Sequence, residues 1–154
     1  MTFVPNSGGC DDVGSSLILP VNTWSFVAIN YTGSTETMFY NGEAIGNADQ
    51  SYTSDACNSI MCSAAYIGGA PPGWWGGQFS GEMADVQIYN ASLDANQIQA
   101  LYQEGIGGAP IDLQNIVGWW PLNGNANDYS GNNNNGQATN VTYTSSWTSG
   151  YSAP

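Results

Sequence analysis

The chain has 154 residues and a formal net charge of −12, because it contains 12 Asp and Glu residues and no Lys, Arg or His. A surface without cationic side chains repels phosphate, so the composition excludes nucleic acid and anionic membrane surfaces as partners. It also excludes side-chain salt bridges and any nucleophile activated by a His or Lys base.

The composition favours an all-β fold. The 20 Gly, 9 Tyr and 6 Trp residues, with abundant Asn, Ser and Thr, are typical of short strands joined by many turns. No stretch is long and apolar enough for a membrane helix, and the N-terminus "MTFVPNSGGCDD" does not resemble a signal peptide. We therefore expect one antiparallel β-sandwich that is not inserted into a membrane.

The clearest local pattern lies in residues 22–46, "NTWSFVAINYTGSTETMFYNGEAIG". Trp24, Phe26 and Ala28 alternate with polar and apolar neighbours, a "TGST" turn follows, and "ETMFY" runs into Asn41-Gly42. An Asn-Gly pair favours the type I′ turn of a tight hairpin. The pattern predicts a β-meander with two hairpins.

The three cysteines precede or fall within a predicted loop, "SYTSDACNSIMCS", which leads into a predicted short buried strand, "AAYIGG". Cys57 and Cys62 are candidates for a disulfide that closes a small loop, and Cys10 would then pair between chains or with one of the other two. Zinc is not expected, since the chain has no His and the spacing matches no common zinc site.

Two tryptophans, Trp74 and Trp75, lie in the Pro/Gly loop "APPGWWGG". Both side chains cannot easily be buried by a loop, so we expect them at a subunit interface or stacked on sugar rings. The following stretch, "QFSGEMADVQIYN", alternates as a strand does, with a slip near Ala84 that suggests a bulge or two buried faces.

A single helix is predicted from "SLDANQIQALYQEG". Ser92 is the expected N-cap, Asp94 would lie in the first turn, and Gly105 would end the helix. The apolar residues follow the i, i+3, i+4 spacing of a buried helix face, and they are Ile98, Leu101 and Tyr102.

The C-terminal part reads as a strand "IVGWWPL", an Asn/Gly loop and a strand "QATNVTYT". Adjacent side chains on a strand point to opposite faces, so one of Trp119 and Trp120 is expected in the core. The other would be exposed or covered by a neighbouring subunit, which makes both candidates for interface or sugar contacts. Three N-glycosylation sequons begin at Asn30, Asn90 and Asn140.

The predicted elements of residues 22–102, taken in chain order, resemble the laminin-G-like or concanavalin-A-like jelly-roll modules of extracellular proteins. The resemblance rests on a Trp-led strand, a hairpin ending in Asn-Gly, the "IGG" segment, a Gly-led "DVQIYN" strand and a helix ending in Leu-Tyr. It implies an antiparallel jelly-roll sandwich at the cell surface or outside the cell.

The stretch "VGWWPLNGNANDYSGNNNNGQATNVTY" resembles the beginning of such a module, although it follows the closing helix. We therefore divide the chain into the main part of a module at residues 1–105, a linker at 106–115 and module-start strands at 116–154. Three hypotheses fit this order: a slice through tandem modules, a circular permutant, or a subunit whose C-terminal strands complete the sheet of a neighbour.

Strand complementation is the favoured hypothesis, because an incomplete sandwich leaves unpaired edge strands that a second copy can cover. Head-to-tail exchange of this kind produces rings or filaments. The sequence thus predicts an extracellular structural subunit that assembles with copies of itself into a filament or tube. The alternative is a carbohydrate-binding or adhesion module of a larger surface protein, with glycans as partners.

The resemblance also implies a structural Ca²⁺ ion at the turn "NDYSGNNNNG", with Asp128 and backbone carbonyls as ligands and Asp85 facing the ion. An equally good interpretation is an Asx turn of Asp128 and Ser130 before Gly131. Catalysis is not expected: Glu82 and Asp85 are three residues apart, and on a regular strand they would point to opposite faces, unlike a glycosidase pair.

Overall fold

A computed structural model of the chain describes residues 18–49, 65–69 and 78–144. Within these residues, antiparallel strands form two sheets, one of three strands and one of two, accompanied by one short helix. The predicted all-β class is therefore confirmed. The elements are β1 (Val27–Tyr31), β2 (Thr35–Tyr40), β3 (Glu43–Asp49), β4 (Val86–Tyr89), α1 (Ala95–Glu104) and β5 (Ile116–Trp120).

The predicted meander is present as the three-stranded sheet, in the order β1-β2-β3. Tyr40 pairs with Glu43 across a two-residue turn, and the backbone φ angles of Asn41 and Gly42 are +50° and +83°. A type I′ turn requires positive φ at both central residues, so the Asn-Gly pair has the predicted role. The Asn41 Oδ1 atom also accepts the N–H of Phe26 at 3.0 Å, which ties this turn to the entry of β1.

Helix α1 begins two residues later than predicted, because Asp94 and not Ser92 is the N-cap. The Asp94 carboxylate accepts the N–H of Gln97 at 2.8 Å, and the Gln97 Oε1 atom accepts the N–H of Asp94 at 2.8 Å. This reciprocal capping box satisfies two backbone donors, whereas the Ser92 hydroxyl donates to the Tyr31 carbonyl. The helix ends at Gly105, as predicted.

The core lies between α1 and the three-stranded sheet. Phe39, Leu93 and Ile98 are buried together, and burying one such side chain stabilises the fold by about 1.5–3 kcal/mol. The predicted helix face is confirmed, since Leu101 packs on this cluster and the rings of Tyr102 and Phe26 are 5.9 Å apart. No helix in the described part of the chain is both long and apolar enough to span a membrane.

The two-stranded sheet joins β4 to β5, which lies 27 residues further along the chain, from Tyr89 to Ile116. Strand β4 begins only at Val86, because Asp85 has a φ of +53°, which interrupts extended backbone. The bulge predicted near Ala84 instead occurs between Ile88 and Tyr89. Glu82 and Asp85 therefore do not lie on one regular strand, so the argument that they point to opposite faces of a strand does not apply to them.

Two predicted strands are not formed. Residues 65–69 of "AAYIGG" have no strand structure, and Tyr66 and Ile67 are 49% and 41% exposed. Residues 137–144, "QATNVTYT", are exposed and irregular, and Asn140 has a φ of +56°. Alternation gives a segment an apolar face, but a strand also needs a partner edge for its backbone groups.

Strand β2 carries a buried carboxylate. Glu36 is only 1% exposed, and its Oε2 atom has no hydrogen-bond partner in the described part of the chain. Met38, two residues further along and therefore on the same face of the sheet, is also 1% exposed. Buried polar atoms are nearly always hydrogen-bonded, so Glu36 is an exception that lowers the stability of the fold.

Candidate functional site at the tryptophan end of the second sheet

The two adjacent tryptophans of β5 have different environments. Trp120 is buried, and its ring lies so close to Gly118 that an added Cβ atom there would collide with it. The Trp120 indole N–H donates to the carbonyl of Asn134 at 2.8 Å. Trp119 points the other way and is only half-buried. Trp120 is thus the core member of the pair, and Trp119 reaches towards the surface.

Trp119 is held by a chain of side-chain hydrogen bonds along β4. Its indole N–H donates to Asp85 Oδ1 at 2.9 Å, and the Gln87 amide donates to the same oxygen at 3.2 Å. The Tyr89 hydroxyl donates to Gln87 Oε1 at 2.6 Å. The contacts from Gln87 to Asp85 and from Tyr89 to Gln87 place these three side chains next to one another.

Burial raises the pKa of two of these hydrogen-bonded side chains, Asp85 and Tyr89. It raises the pKa of Asp85, although hydrogen bonds from Gln87, Trp119 and the backbone of Gly107 act in the opposite direction. It also raises the pKa of Tyr89 to about 12, so the Tyr89 hydroxyl keeps its proton and remains a donor at neutral pH. The bond from Gly107 ties the segment after α1 to this face.

Residues 123–136, the asparagine loop, cover the outer edge of β5. Every second residue of its central part turns a polar side chain towards the strand. Three of them donate to the Val117 carbonyl: Ser130 Oγ at 3.2 Å, Asn132 Nδ2 at 3.1 Å and Asn134 Nδ2 at 2.9 Å. The loop's Tyr129 N–H also donates to the Trp119 carbonyl at 2.8 Å. The loop therefore takes the place of a neighbouring strand along residues 117–119 of this edge.

Asp128 is the fourth member of this alternating set. Its carboxylate accepts four hydrogen bonds, from Trp119 N at 3.0 Å, Ser130 N at 2.8 Å, Ser130 Oγ at 2.9 Å and Asn134 N at 2.9 Å. Burial acts to raise the pKa of Asp128, but these hydrogen bonds outweigh it and lower the pKa to about 2. The bond from Ser130 N is the predicted Asx turn.

These residues do not fit a calcium site as they are arranged. Both Asp128 oxygens face N–H and O–H donors, and the contacted oxygen of Asp85 faces Trp119 and Gln87. Among the described residues, no three His, Cys, Asp or Glu side chains are grouped to hold a metal. Calcium at Asp128 and Asp85 stays a prediction, to be checked by titration with the ion.

An exposed aromatic surface forms where the asparagine loop meets Trp119. The rings of Trp119 and Tyr129 are 6.1 Å apart in an edge-to-face arrangement, and Tyr129 is 55% exposed. The Asn125 amide donates to the Tyr129 hydroxyl at 3.3 Å, and Asn125 is itself held by the N–H of Asn127 at 2.8 Å. We call Trp119, Tyr129 and Asn125 the aromatic platform.

The aromatic platform offers ring faces and amide groups, so it can stack on an apolar sugar face and hydrogen-bond to hydroxyls. Sequence reasoning identified Trp119 but missed Tyr129, Asn125 and Gln87. It also overlooked a period of two in "DYSGNNN", in which Asp, Ser and two Asn side chains recur on the side of the loop that bonds to β5, while Tyr129 falls between them.

The three sequons lie in different environments. Asn30 is half-buried in β1, and its Nδ2 atom donates to the Leu93 carbonyl at 2.9 Å. Asn90 and Asn140 are exposed. The remaining predicted site residues lie outside the described residues: Trp74, Trp75, Cys10, Cys57 and Cys62.

Comparison with known proteins gives two similarities. The family model of the concanavalin A-like lectin/glucanases superfamily matches residues 1–99. A crystal structure of residues 221–444 of an S-layer domain-containing protein from Clostridium thermocellum is similar, with 24% identity and a TM-score of 0.47. That match covers 56% of this chain and 42% of the other, less than half of its length. A search of curated proteins found no significant match.

Proposed function

Because the chain belongs to the concanavalin A-like lectin/glucanases superfamily, we propose that it is a non-enzymatic carbohydrate-binding or adhesion module of an extracellular protein. The family match confirms the predicted relationship to laminin-G-like modules. The extracellular location is supported by the exposed sequons at Asn90 and Asn140, which would carry glycans in a secreted protein.

The observation that carries this proposal is the exposed Tyr129 ring, held edge-on against the half-buried Trp119. Aromatic side chains that are fixed in place provide contact area with little loss of conformational entropy on binding. Asn125 adds a neutral amide beside the ring. A surface of this kind suits a neutral or amide-bearing sugar, whereas the net charge of −12 disfavours anionic glycans.

The pairing of β5 supports binding over donation of this strand to a neighbour. Strand β5 is hydrogen-bonded to β4 of the same chain, from Val86↔Trp120 to Tyr89↔Ile116. Its other edge is contacted by the asparagine loop, which bonds to the Val117 carbonyl and to both the N–H and the carbonyl of Trp119. The side chains around Trp119 also support a non-enzymatic role, because the shared Asp85 oxygen accepts from two side chains and both Asp128 oxygens accept bonds.

The proposal is tested by replacing Tyr129 with Ala and measuring glycan binding on an array, followed by calorimetry with the best neutral sugar. We expect the affinity to fall about tenfold, the loss expected for one aromatic stacking contact. The matched control is Tyr66→Ala, because Tyr66 is another exposed tyrosine, at 49%, outside the platform. Equal binding by the Tyr129→Ala variant and the unaltered protein would contradict the proposed site.

Self-assembly through strand complementation is the second candidate. The observation that favours it is the exposed segment of residues 137–144, in which Val141 and Tyr143 are 59% and 38% exposed. Thr139, Val141 and Tyr143 would share one face if the segment became a strand in a neighbour's sheet. The donated segment would then begin after the asparagine loop, and not at residue 116.

Electron microscopy and size-exclusion chromatography of the full chain test this second candidate. Replacing both Val141 and Tyr143 with Ser should abolish polymers, because the inserted face would lose its apolar side chains. Thr142→Ser is the control, since residue 142 lies on the opposite face of such a strand. A monodisperse monomer from the full chain, or polymers that survive the double substitution, would rule out assembly by this segment.

A further inference from the structure

Three Asn-Gly pairs occur in the chain, at Asn41-Gly42, Asn123-Gly124 and Asn135-Gly136. A glycine after asparagine leaves its backbone nitrogen open to approach, because it has no Cβ atom. That nitrogen can attack the asparagine side-chain carbonyl, provided that neither group is held by a hydrogen bond. The three pairs differ sharply in this respect.

At Asn41-Gly42 the fold blocks the reaction. The Asn41 Oδ1 atom accepts the N–H of Phe26 at 3.0 Å, which fixes the side chain in the turn. Gly42 is buried, and a Cβ atom there would collide with the side chains of Gln99 and Tyr102. Burial of Gly42 therefore restricts the access of solvent base to its nitrogen.

At Asn135-Gly136 both reacting groups are engaged, although the pair is exposed. The Asn135 Oδ1 atom accepts the N–H of Asp128 at 2.9 Å. The Gly136 N–H donates to the Ala126 carbonyl at 2.8 Å. Attack here requires two hydrogen bonds to open first.

Asn123-Gly124 carries neither restraint. Both residues are exposed, and no hydrogen bond within the described part of the chain involves the Asn123 side chain or the Gly124 N–H. A Cβ atom built on Gly124 would have no neighbour within 4 Å among residues 18–49, 65–69 and 78–144, so the space around it is open with respect to them. We infer that Asn123 is a site of spontaneous deamidation, and that the fold protects the other two Asn-Gly pairs.

The reaction proceeds in two balanced steps. Solvent base removes the Gly124 amide proton, the nitrogen lone pair forms a bond to Asn123 Cγ, and the bond from Cγ to Nδ2 breaks as ammonia leaves with a proton from solvent. Solvent water then opens the cyclic imide at either carbonyl. The product is either an ordinary aspartyl residue in place of Asn123, or an isoaspartyl linkage that adds a methylene group to the backbone two residues before Asn125.

The experiment incubates the full chain in mildly alkaline buffer and follows each pair by peptide mass spectrometry. Pepsin is the suitable protease, because the chain has no Lys or Arg for trypsin and acidic digestion slows further deamidation. In the folded chain, Asn123 should be modified at least about fivefold faster than Asn135, whose hydrogen bonds must open. Modification at Asn41 should be slower still.

A parallel incubation in urea removes the protection, so the three pairs should react at similar rates there. The variant Asn123→Gln should abolish the fast modification and leave the other two rates unchanged. Equal rates at Asn123 and Asn135 in the folded chain would overturn the inference. A rate at Asn123 that is far below its rate in urea would overturn it as well, because the pair would then not be free to react.

Discussion

The carboxylate of Asp128 accepts the backbone N–H of Trp119 at 3.0 Å. The indole N–H of the same tryptophan donates to Asp85 at 2.9 Å, so one residue is held by two carboxylates. Their pKa values are shifted in opposite directions, upward at Asp85 by burial and downward at Asp128 by its hydrogen bonds. The stabilising contribution of Asp128 should therefore decrease as the pH falls, whereas that of Asp85 should decrease as the pH rises.

The first prediction concerns Asp128→Asn. The pKa of Asp128 is lowered from 3.8 to about 2, so its contribution to stability is present above about pH 3.8 and is lost as the pH falls towards about 2. The variant also turns an amide N–H towards the Asn134 N–H, which cannot accept it. We expect a lower melting temperature at neutral pH and a difference that shrinks towards pH 2; a constant difference in thermal scans would contradict this.

The second prediction is that Asp85→Asn raises stability at neutral pH. The pKa of Asp85 is raised by burial, so its favourable contribution is full below pH 3.8 and declines as the pH rises through the folded pKa. Asn keeps an acceptor for the Trp119 indole, remains neutral and tolerates the φ of +53°. Thermal scans should show a gain in melting temperature that grows with pH; a loss at pH 7 would refute it.

The third prediction compares two glycines with positive φ. Gly33→Ala should destabilise the protein by about 1 kcal/mol, because φ is +94° but a Cβ atom meets nothing within 4 Å. Gly42→Ala should be worse, at about 3 kcal/mol, because its Cβ atom also collides with Gln99 and Tyr102 on α1. Urea unfolding of both variants checks this, and similar losses would mean that the hairpin turn does not pack on α1.

The fourth prediction is that Glu36→Met stabilises the protein by about 1–3 kcal/mol, since it removes a buried oxygen that has no hydrogen-bond partner among the described residues. The same substitution at Glu43, an exposed residue at the start of β3, is the control and should change stability by about 0.5 kcal/mol or less. Denaturant unfolding at neutral pH measures both changes. A loss of stability in Glu36→Met would show that the carboxylate has a stabilising partner.

The fifth prediction concerns glycosylation of the protein when it is secreted from eukaryotic cells. Asn140 and Asn90 should carry glycans, whereas Asn30 should not, because its Nδ2 atom donates to the Leu93 carbonyl inside the fold. Mass spectrometry of the secreted protein and of the Asn30→Gln and Asn140→Gln variants measures occupancy. Occupancy of Asn30 equal to that of Asn140 would contradict the packing of β1 on the segment before α1.

Local sequence patterns predicted several elements well. The Asn41-Gly42 turn and the Gly105 helix end depend on the backbone preferences of a few adjacent residues, which are legible without the fold. At the start of the helix, the choice of Ser92 and not Asp94 as N-cap was wrong, although Gln97 stands three residues after Asp94 and marks the capping box. The error arose because both residue types are good caps, and the reciprocal bond with Gln97 decides between them.

The two failed strands show what local patterns omit. "QATNVTYT" has the alternation and β-branched residues of a strand, yet residues 137–144 are exposed and irregular. The outer edge of β5 is instead contacted by the side chains of Asp128, Ser130, Asn132 and Asn134. Which segment contacts the edge of β5 depends on groups outside that segment. A window of a few residues therefore does not predict whether the segment forms a strand.

By itself the sequence determined the all-β class, the hairpins, the helix, the family relationship and the absence of any cationic side chain, because these follow from composition and from contacts between near neighbours. Only the tertiary structure decided that Trp120 is buried, that Trp119 bonds to Asp85 across 34 positions of the chain, and that an asparagine-rich loop covers a sheet edge. Those outcomes depend on which distant groups meet, and burial and hydrogen-bond satisfaction select among the arrangements that local preference allows.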